Sequence, residues 1–228
     1  MSFFLTGIVS FGSEAETYAT VLSAKNMEQY ALGKEISTGS EIITEGNQKL
    51  AMKTTAGDII VVDANSRLVI KKPSLLNQLF GKIYFLFASR LDNKVEVQTA
   101  TAVIGIRGTN FLLTTSNNGG TDLISLENGK LNIDSPDDTL FKIYKEKEIN
   151  EFDQFKEETQ AGLKKIDTEF ESFKEELDRE FVEYKSSIEL SAGKTLKIVG
   201  RDLVTVELTD EQQDEINAFK QFIIDAEQ

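Results

Sequence analysis

The sequence predicts a mainly β protein with a minor helical part: a β-solenoid-like or sandwich-like body, interrupted by one long helix and closed by a short C-terminal helix. Three observations carry this prediction. Between residues 19 and 133, short alternating apolar stretches are separated by turns about every 8–12 residues. Between Glu146 and Ser187 the apolar residues recur with helical spacing. The alternation returns at residue 188, and helical spacing returns after Thr209.

Composition limits the functions that are open to this chain. It has 228 residues, a formal net charge of -13, and neither cysteine nor histidine. The acidic balance argues against binding to nucleic acid or anionic lipid, whose phosphates attract basic surfaces. Thiol chemistry, thiolate metal sites and imidazole bases are excluded, and we expect neither an enzyme nor a cofactor. No apolar run reaches about 18 residues, so no membrane insertion is expected in the chain as given.

Residues 1–18 are either the remnant of a signal peptide or an N-terminal strand. Residues 3–11 form a short apolar run, and the small residues Ser13 and Ala15 are spaced as at a signal-peptidase site. The basic segment that normally precedes such a run is missing. The sequence leaves open whether residues 1–15 are cleaved.

Residues 19–135 are predicted to form the first part of the β domain. The segment NQKLAMKTTAGDIIVV is typical of a hairpin, and KIYFLF at residues 82–87 is typical of a central strand. Before it, one or two helical turns that end at Gly81 are predicted from the spacing of Leu75, Leu76, Leu79 and Phe80. Asn128 and Gly129 signal a tight turn.

Residues 146–187 are predicted to form one long acidic helical insertion. From Leu163 onward the apolar residues lie 3, 4, 3, 4, 4, 3 and 4 positions apart, as in a heptad-like seam with a stutter. A coiled coil would show this pattern. We expect a protein partner or a second copy to contact this candidate interaction surface, which consists of Leu163, Ile166, Phe170, Phe173, Leu177, Phe181 and Tyr184.

Residues 188–208 are predicted to be returning strands of the same β domain, because their alternation matches that of the first part. Residues 209–228 are predicted to form a C-terminal helix. Thr209 is a favourable N-cap, and acidic residues follow it in the first turn. One apolar face is formed by Ile216, Phe219, Phe222 and Ile223.

The stretch VQTATAVIGIRGTNFLL, residues 97–113, raises the question of what Arg107 does. A charge on a half-buried strand is costly, and glycine weakens a strand. If residues 103–111 form one regular strand, Gly105 and Arg107 share a face, and Gly105 leaves room for the guanidinium. We favour a fold-determining role in which Arg107 contacts backbone carbonyls or a carboxylate, so that Arg107→Lys lowers stability. An exposed anion site is the alternative.

Four phrases of the sequence, in the same order, resemble the FecR domain. The first holds Asp63, Ser66 and Leu68, and the second holds Val97, Thr99, Ala102, Arg107, Gly108 and Thr109, with Ala100 or Thr101 where the family has proline. The third holds Leu126, Glu127, Gly129 and Leu131, and the fourth holds Ala192, Gly193 and Lys194. With Gly105, we predict a structural role for Thr99, Gly105, Arg107, Gly108, Thr109, Gly129 and Gly193.

The resemblance implies a β-solenoid-like, exported domain. The best-known members of the family are sensors that pass an iron-uptake signal from an outer-membrane transducer to a sigma factor. Those sensors carry a cytoplasmic anti-sigma segment and a transmembrane helix before the domain, and this sequence shows neither. The chain is therefore expected to be similar to stand-alone exported FecR-domain proteins of the periplasm or cell surface.

Three functional hypotheses follow. The first is a non-enzymatic exported protein-interaction module. The second is a component of envelope signalling related to FecR-type regulation of sigma factors, and the third is an envelope glycan hydrolase, which would need paired carboxylates. The sequence names no metal ligand set, and leaves open whether a cation binds at Asp63 or Asp122, where oxygen-rich segments are expected to be turns.

Overall fold

The computed structural model describes residues 16–89, 95–137, 139–146 and 179–227. This part of the chain forms seventeen strands and one α-helix, α1 (Asp210–Ala226). The strands are β1 (Thr17–Lys25), β2 (Glu35–Ser37), β3 (Glu41–Thr44), β4 (Lys49–Thr54), β5 (Ile59–Val62), β6 (Ser66–Lys72), β7 (Leu75–Leu86), β8 (Val95–Gln98), β9 (Val103–Ile106), β10 (Asn110–Thr115), β11 (Thr121–Asn128), β12 (Lys130–Asp134), β13 (Phe141–Glu146), β14 (Arg179–Lys185), β15 (Ser187–Ser191), β16 (Lys194–Val199) and β17 (Asp202–Glu207).

The strands form one hydrogen-bonded network that folds into two layers, and β7 belongs to both. The order in the first layer is β2-β1-β4-β5-β7-β10-β11-β16-β17-β13-β14. The order in the second layer is β3-β6-β7-β8-β9-β12-β15. The layers share one core, because a single cluster of buried apolar side chains includes Phe85 and Phe111 of the first layer and Leu68 and Ile104 of the second.

Strand β7 passes from the second layer to the first at Gly81. Residues 75–80 pair with β6, whereas residues 81–86 pair with β10. Gly81 has φ +90°, and a Cβ at this position would lie 2.4 Å from the Cα of Ser66. Glycine is therefore required where the two layers meet. The helical turns predicted before Gly81 are wrong, because residues 75–80 form hydrogen bonds to neighbouring strands instead.

The predicted solenoid is also wrong. Among the described strands, only β7–β8 and β13–β17 pair in parallel, and successive strands such as β4–β5, β6–β7, β10–β11 and β16–β17 pair as antiparallel neighbours. Stacked coils of a solenoid would instead place like strands side by side from one coil to the next. Short strands with frequent turns give the same spacing in the sequence whether they form hairpins or coils.

The predicted long helix over Glu146–Ser187 is contradicted at both ends. Glu146 is the last residue of β13, Arg179–Lys185 is β14, and Ser187 begins β15. Strand β14 pairs with β13 in antiparallel register, from Phe141↔Lys185 to Glu146↔Arg179. Pairing with β13 and the β-favouring residues Phe181, Val182 and Tyr184 outweigh the helical spacing here. Residues 147–178, with the rest of the predicted coiled-coil seam, lie outside the described residues.

The strands after residue 187 pair with the strands that precede residue 135. β15 pairs with β12, and β16 pairs with β11. At the other end of the chain, β1 begins at Thr17, while residues 1–15, which carry the predicted signal-peptide remnant, lie outside the described residues.

The helix α1 covers the outer face of the first layer. Its Ile216, Phe219 and Ile223 form a second apolar cluster with side chains of the sheet, including Ala51, Ile59, Val61, Tyr84 and Leu112. Thr209 caps the helix: its hydroxyl accepts from Gln212 N, and Gln212 Oε1 accepts from Thr209 N. The outer face of the second layer has no such cover among the described residues, so its polar side chains are the ones open to a partner.

Candidate functional site

The Arg-Gly-Thr segment forms a corner between β9 and β10, and the regular strand over residues 103–111 that the sequence suggested is not formed. Gly108 has φ +66°, and a Cβ there would lie 2.4 Å from the Cα of Ser89. The chain that leaves β7 thus runs directly against Gly108, and Phe87 N donates to Thr109 O over 3.0 Å. Gly108 is therefore required both for its backbone conformation and for this close approach.

The turn after β11 packs onto the same corner. Gly129 has φ +89°, and a Cβ at this position would lie 2.6 Å from Gly108 O and 2.6 Å from Thr109 Cγ2. Thr109 is fully buried, and its hydroxyl has no hydrogen-bond partner among the described residues. Thr109 packs at this corner through its methyl group, which lies under Gly129. Two glycines that lie far apart in the sequence thus hold one corner together.

Arg107 lies on the surface at this corner. Its side chain is exposed, and it makes no hydrogen bond or ion pair with a described residue. The contacts with backbone carbonyls or a carboxylate that the sequence led us to expect are not formed in the described part of the chain. A fold-determining role for Arg107 therefore remains a prediction from the sequence alone, and the observed geometry is that of a free surface cation.

Arg107 lines an open groove of about 660 Å³ on the outer face of the second layer. The groove follows β9, β12 and β15, and its lining residues are Gly105, Arg107, Gly129, Lys130, Leu131, Asn132 and Glu189. In the register of the sheet, Gly105 lies between Glu96 of β8 and Asn132 of β12. Because Gly105 has no side chain, the sheet surface is lowered between two polar neighbours, and this lowering shapes the groove.

The other polar groups of the groove are paired with each other. Lys130 Nζ lies 2.7 Å from Glu189 Oε1. Ser187 Oγ donates to Asn132 Oδ1 over 3.2 Å, and Asn132 Nδ2 donates to Asp134 Oδ1 over 3.0 Å. Among the described lining residues, Arg107 is thus the cation that no carboxylate neutralises. The groove can accept a carboxylate or a carbonyl group at that end.

A buried carboxylate explains in physical terms why threonines follow β8. Asp122 is fully buried and accepts hydrogen bonds from the hydroxyls of Thr99, Thr101 and Thr115. Thr99 Oγ1 also accepts from the backbone N–H groups of Thr101 and Ala102. This cluster ties the turn after β8 to the start of β11. Three hydroxyl groups satisfy the oxygens of this side chain, as a buried polar group requires.

The two positions left open for a cation are occupied by protein groups. Asp63 lies 2.9 Å from Lys49 Nζ, and Asp122 is held by the threonines. In the described ranges, no group of three or more acidic residues is placed to hold a metal ion. No local pattern in the sequence indicates three threonines around Asp122, since Thr115 lies on a different element from Thr99 and Thr101.

A second polar cluster fixes α1 to the first layer. Glu127 accepts hydrogen bonds from Gln213 Nε2 over 3.1 Å and from Lys220 Nζ, and Tyr84 OH lies 3.4 Å from it. Burial raises the pKa of Tyr84 well above its ordinary value, and the nearby Glu127 carboxylate raises it further. Lys49 Nζ lies 4.4 Å from the centre of the Phe219 ring. These contacts hold the helix in register on the sheet.

Two sets of residues singled out from the sequence remain: Gly193, for which a structural role was predicted, and the candidate interaction surface. Gly193, in the turn between β15 and β16, has φ +79°; its N–H donates to Leu126 O, and its carbonyl accepts from Leu208 N. Of the candidate interaction surface, Phe181 and Tyr184 lie exposed on β14 with their ring centres 5.0 Å apart. The other members of that surface lie outside the described residues, namely Leu163, Ile166, Phe170, Phe173 and Leu177.

The groove on the second layer was not predicted from the sequence. The sequence feature that could have indicated it is the alternation of Lys130, Asn132 and Asp134 with Leu131 and Ile133, which is typical of a strand with one polar face open to solvent.

None of the helices in the described part of the chain is long and apolar enough to cross a membrane.

Comparison with known proteins gives a family match and a fold match. The family model described as "FecR protein" matches residues 40–132. Two crystal structures of a putative anti-sigma factor from Parabacteroides distasonis ATCC 8503, at 1.65 Å and 2.50 Å resolution, each match with a TM-score of 0.50 and 10% identity. The match covers 77% of this chain and 63% and 62% of those chains, so this chain spans less than two thirds of their length. No curated protein matches this chain significantly.

At 10% identity the two crystal structures are similar in fold only. The family model is a match of sequence, and it covers the Arg-Gly-Thr corner, the Asp122 cluster and the groove residues as far as Asn132. The resemblance that the sequence motifs carry is therefore confirmed: residues 40–132 of this chain match the FecR family.

Proposed function

We propose that this chain is a non-enzymatic, partner-binding component of an envelope signalling system related to FecR-type regulation of sigma factors. The observation that carries the proposal is the match of the FecR family model to residues 40–132. The neighbours of similar fold are described as anti-sigma factors, which is compatible with regulation through protein binding. We place the protein in the periplasm or at the cell surface, where FecR domains act.

The groove on the second layer is the surface we assign to the partner. It is open along β9, β12 and β15, which suits an extended peptide segment or a protein edge. Arg107 stands at one end without a partner among the described residues, and a guanidinium binds a carboxylate through two parallel hydrogen bonds. We therefore expect the partner to place an Asp, a Glu or a chain terminus against Arg107.

The hydrolase hypothesis has less support from the same groove. Glycoside hydrolysis uses two carboxyl groups about 5–10 Å apart that flank the scissile bond. The described groove is lined by one carboxylate, Glu189, and that side chain is already paired with Lys130. The remaining alternative is a binding function without any role in signalling. The experiment below distinguishes binding alone from signalling through the identity of the partner.

Site-specific photo-crosslinking in the source bacterium tests the proposal. A photoreactive amino acid at Asn132 should crosslink to one defined envelope protein, and Arg107→Glu should reduce the yield of that product about tenfold through loss of a charge-assisted contact. The matched control places the same probe at Lys71, which is exposed on β6 of the same layer. A product of equal yield from Lys71, or one that Arg107→Glu leaves unchanged, would count against the groove as the binding site.

A further inference from the structure

Strand β14 is exposed in a way that is unusual for a strand of a folded body. Residues 180–185 are exposed at every position, on both faces of the sheet. Phe181, Val182 and Tyr184 have 46%, 47% and 57% of their surface open. Among the described residues β14 pairs with β13 alone, so its outer edge presents free backbone N–H and C=O groups. An exposed apolar edge of this kind is a template for pairing with another strand.

The side chains of β14 form an aromatic strip on one face. Phe181 packs against Tyr184 with ring centres 5.0 Å apart and against Tyr144 of β13 with ring centres 5.9 Å apart. Phe181 and Tyr184 share a face although they are three residues apart, because the register of β14 on β13 shifts at this point and leaves Val182 without a partner. The strip runs to the free edge of the sheet.

We infer that the free edge of β14 pairs with β14 of a second copy of this chain, in antiparallel orientation about a two-fold axis. The register that fits places Glu180 opposite Lys185 of the second copy, Phe181 opposite Tyr184 of the second copy, and Val182 opposite Glu183 of the second copy. Each of these pairs occurs twice because of the symmetry. Opposite charges and aromatic side chains that face each other directly across two antiparallel strands both stabilise the pairing.

Neighbouring registers lack this complementarity. A shift by one residue in one direction places Phe181 opposite Glu183 of the second copy, so an aromatic ring faces a carboxylate. A shift by one residue in the other direction places Glu183 opposite the same residue of the second copy, so two like charges meet, which is destabilising. Of these three registers, the proposed one alone combines two ion pairs with an aromatic strip that continues from one copy to the next.

The interface is small. A strand of six exposed residues buries less than the 1,200 Å² or so that stable complexes bury, so the dimer is expected to be weak and concentration-dependent. The net charge of -13 on each copy also opposes association, and moderate salt reduces this repulsion. The inference is independent of the proposed signalling role, because it rests on β14 and not on the groove.

Charge reversal on β14 tests both the edge and the register. Sedimentation equilibrium of the full chain at about 0.15 M salt should show a monomer–dimer equilibrium. Glu180→Lys brings two ammonium groups together, because the new side chain faces Lys185 of the second copy, and Lys185→Glu brings two carboxylates together. Each variant should therefore weaken dimerisation about tenfold. An equimolar mixture of the two variants should restore the wild-type affinity, because every pair across the axis then has opposite charges.

Control variants remove the effect of net charge. Glu45→Lys and Lys71→Glu change the charge by the same amounts at exposed positions of other parts of the fold, and should leave dimerisation unchanged. Within one copy, Glu180 lies 3.2 Å from Lys145 and Lys185 lies 2.6 Å from Glu183. Because exposed ion pairs of this kind contribute little to stability, thermal melts of all variants should lie close to that of wild type. A wild-type chain that stays monomeric at all concentrations would overturn the inference. So would a mixture that associates no better than its components, or controls that weaken the dimer as much as the β14 variants.

Discussion

Gly108→Ala should destabilise the fold far more than substitution of its neighbour Arg107. An alanine at φ +66° costs about 1–2 kcal/mol in a left-handed backbone conformation. Its Cβ would in addition lie 2.4 Å from the Cα of Ser89, a backbone atom that can move only with its chain segment. Forcing a methyl group into a packed site costs about 1–3 kcal/mol more. The sum is about 2–5 kcal/mol of unfolding free energy.

Chemical denaturation in urea and a thermal melt measure this loss. For a domain of this size, 1 kcal/mol lowers the melting temperature by about 2–4 °C, so a fall of about 4–20 °C is expected for Gly108→Ala. Gly33→Ala is the matched control: Gly33 has φ +77°, but no atom lies within 4 Å of the Cβ position. That variant should show the backbone cost alone.

Arg107 supplies the contrast at the same corner. Because its side chain is exposed and has no partner among the described residues, Arg107→Lys and Arg107→Ala should change the unfolding free energy by about 0.5 kcal/mol or less. Equal losses for Gly108→Ala and Gly33→Ala would refute the close contact with Ser89. A loss for Arg107→Lys as large as that for Gly108→Ala would restore the fold-determining role expected from the sequence.

Three further predictions concern the buried groups. Asp122→Ala should cost about 1–3 kcal/mol in urea denaturation, because three threonine hydroxyls lose their common acceptor, whereas Asp134→Ala, at the end of β12, should be near neutral. Phe219→Ala should cost about 3–5 kcal/mol and release α1, seen as faster amide hydrogen exchange in residues 210–226, while Ile224→Ala, at a half-exposed position, should not. Burial raises the pKa of Tyr18 and Tyr84 in the folded state. The free energy of unfolding is therefore unaffected by these two groups below the ordinary tyrosine pKa of about 10, and it decreases as the pH rises above that value, because the unfolded chain then loses their protons more readily. Absorbance of tyrosinate should therefore show these two residues titrating only as the circular dichroism of the fold is lost; titration of all five tyrosines near pH 10 in the folded protein would contradict their burial.

Alternation and turn residues made most of the strands predictable from the sequence. All of KIYFLF except its last residue, Phe87, forms the second half of β7, and the Asn128–Gly129 turn joins β11 to β12, as their local patterns indicate. Such features depend on neighbours in the chain and can be predicted without knowing the partner strand. The C-terminal helix was visible for the same reason, since Thr209 and the apolar face of residues 216–223 act within one element.

Helical spacing misled the prediction where a distant strand supplied the hydrogen bonds. Residues 75–80 have apolar residues three and four apart, and Phe181 and Tyr184 lie three apart, yet both segments are strands. The partners of the first are β6 and β8, and the partner of the second is β13. Spacing in a short stretch cannot reveal such pairings, and a register shift, as at Val182, allows side chains three apart to share a face of a strand.

The candidate site was harder to predict than the fold, because it consists of contacts between elements. The phrase containing Arg107, Gly108 and Thr109 indicated the correct corner of the fold. The sequence led us to expect that Arg107 makes the contacts that fix this corner, but in the structure its two neighbours make them. Gly108 and Thr109 are packed inside, whereas Arg107 faces solvent. The burial of Asp122 follows from strand pairings that no local pattern encodes. The alternation on β12 indicates a polar face, but the groove beside Gly105 depends on the pairing of β9 with β8 and β12.

Transcription in the source organism tests the proposed signalling role most directly. Deletion of the gene should change the expression of a set of genes that share one sigma-factor promoter, as measured by RNA sequencing. The wild-type chain and the Lys71→Glu variant should restore normal expression, and Arg107→Glu, made at the same protein level, should not. An unchanged transcript profile on deletion would contradict a role in signalling, and full restoration by Arg107→Glu would contradict the groove as the surface through which the protein acts.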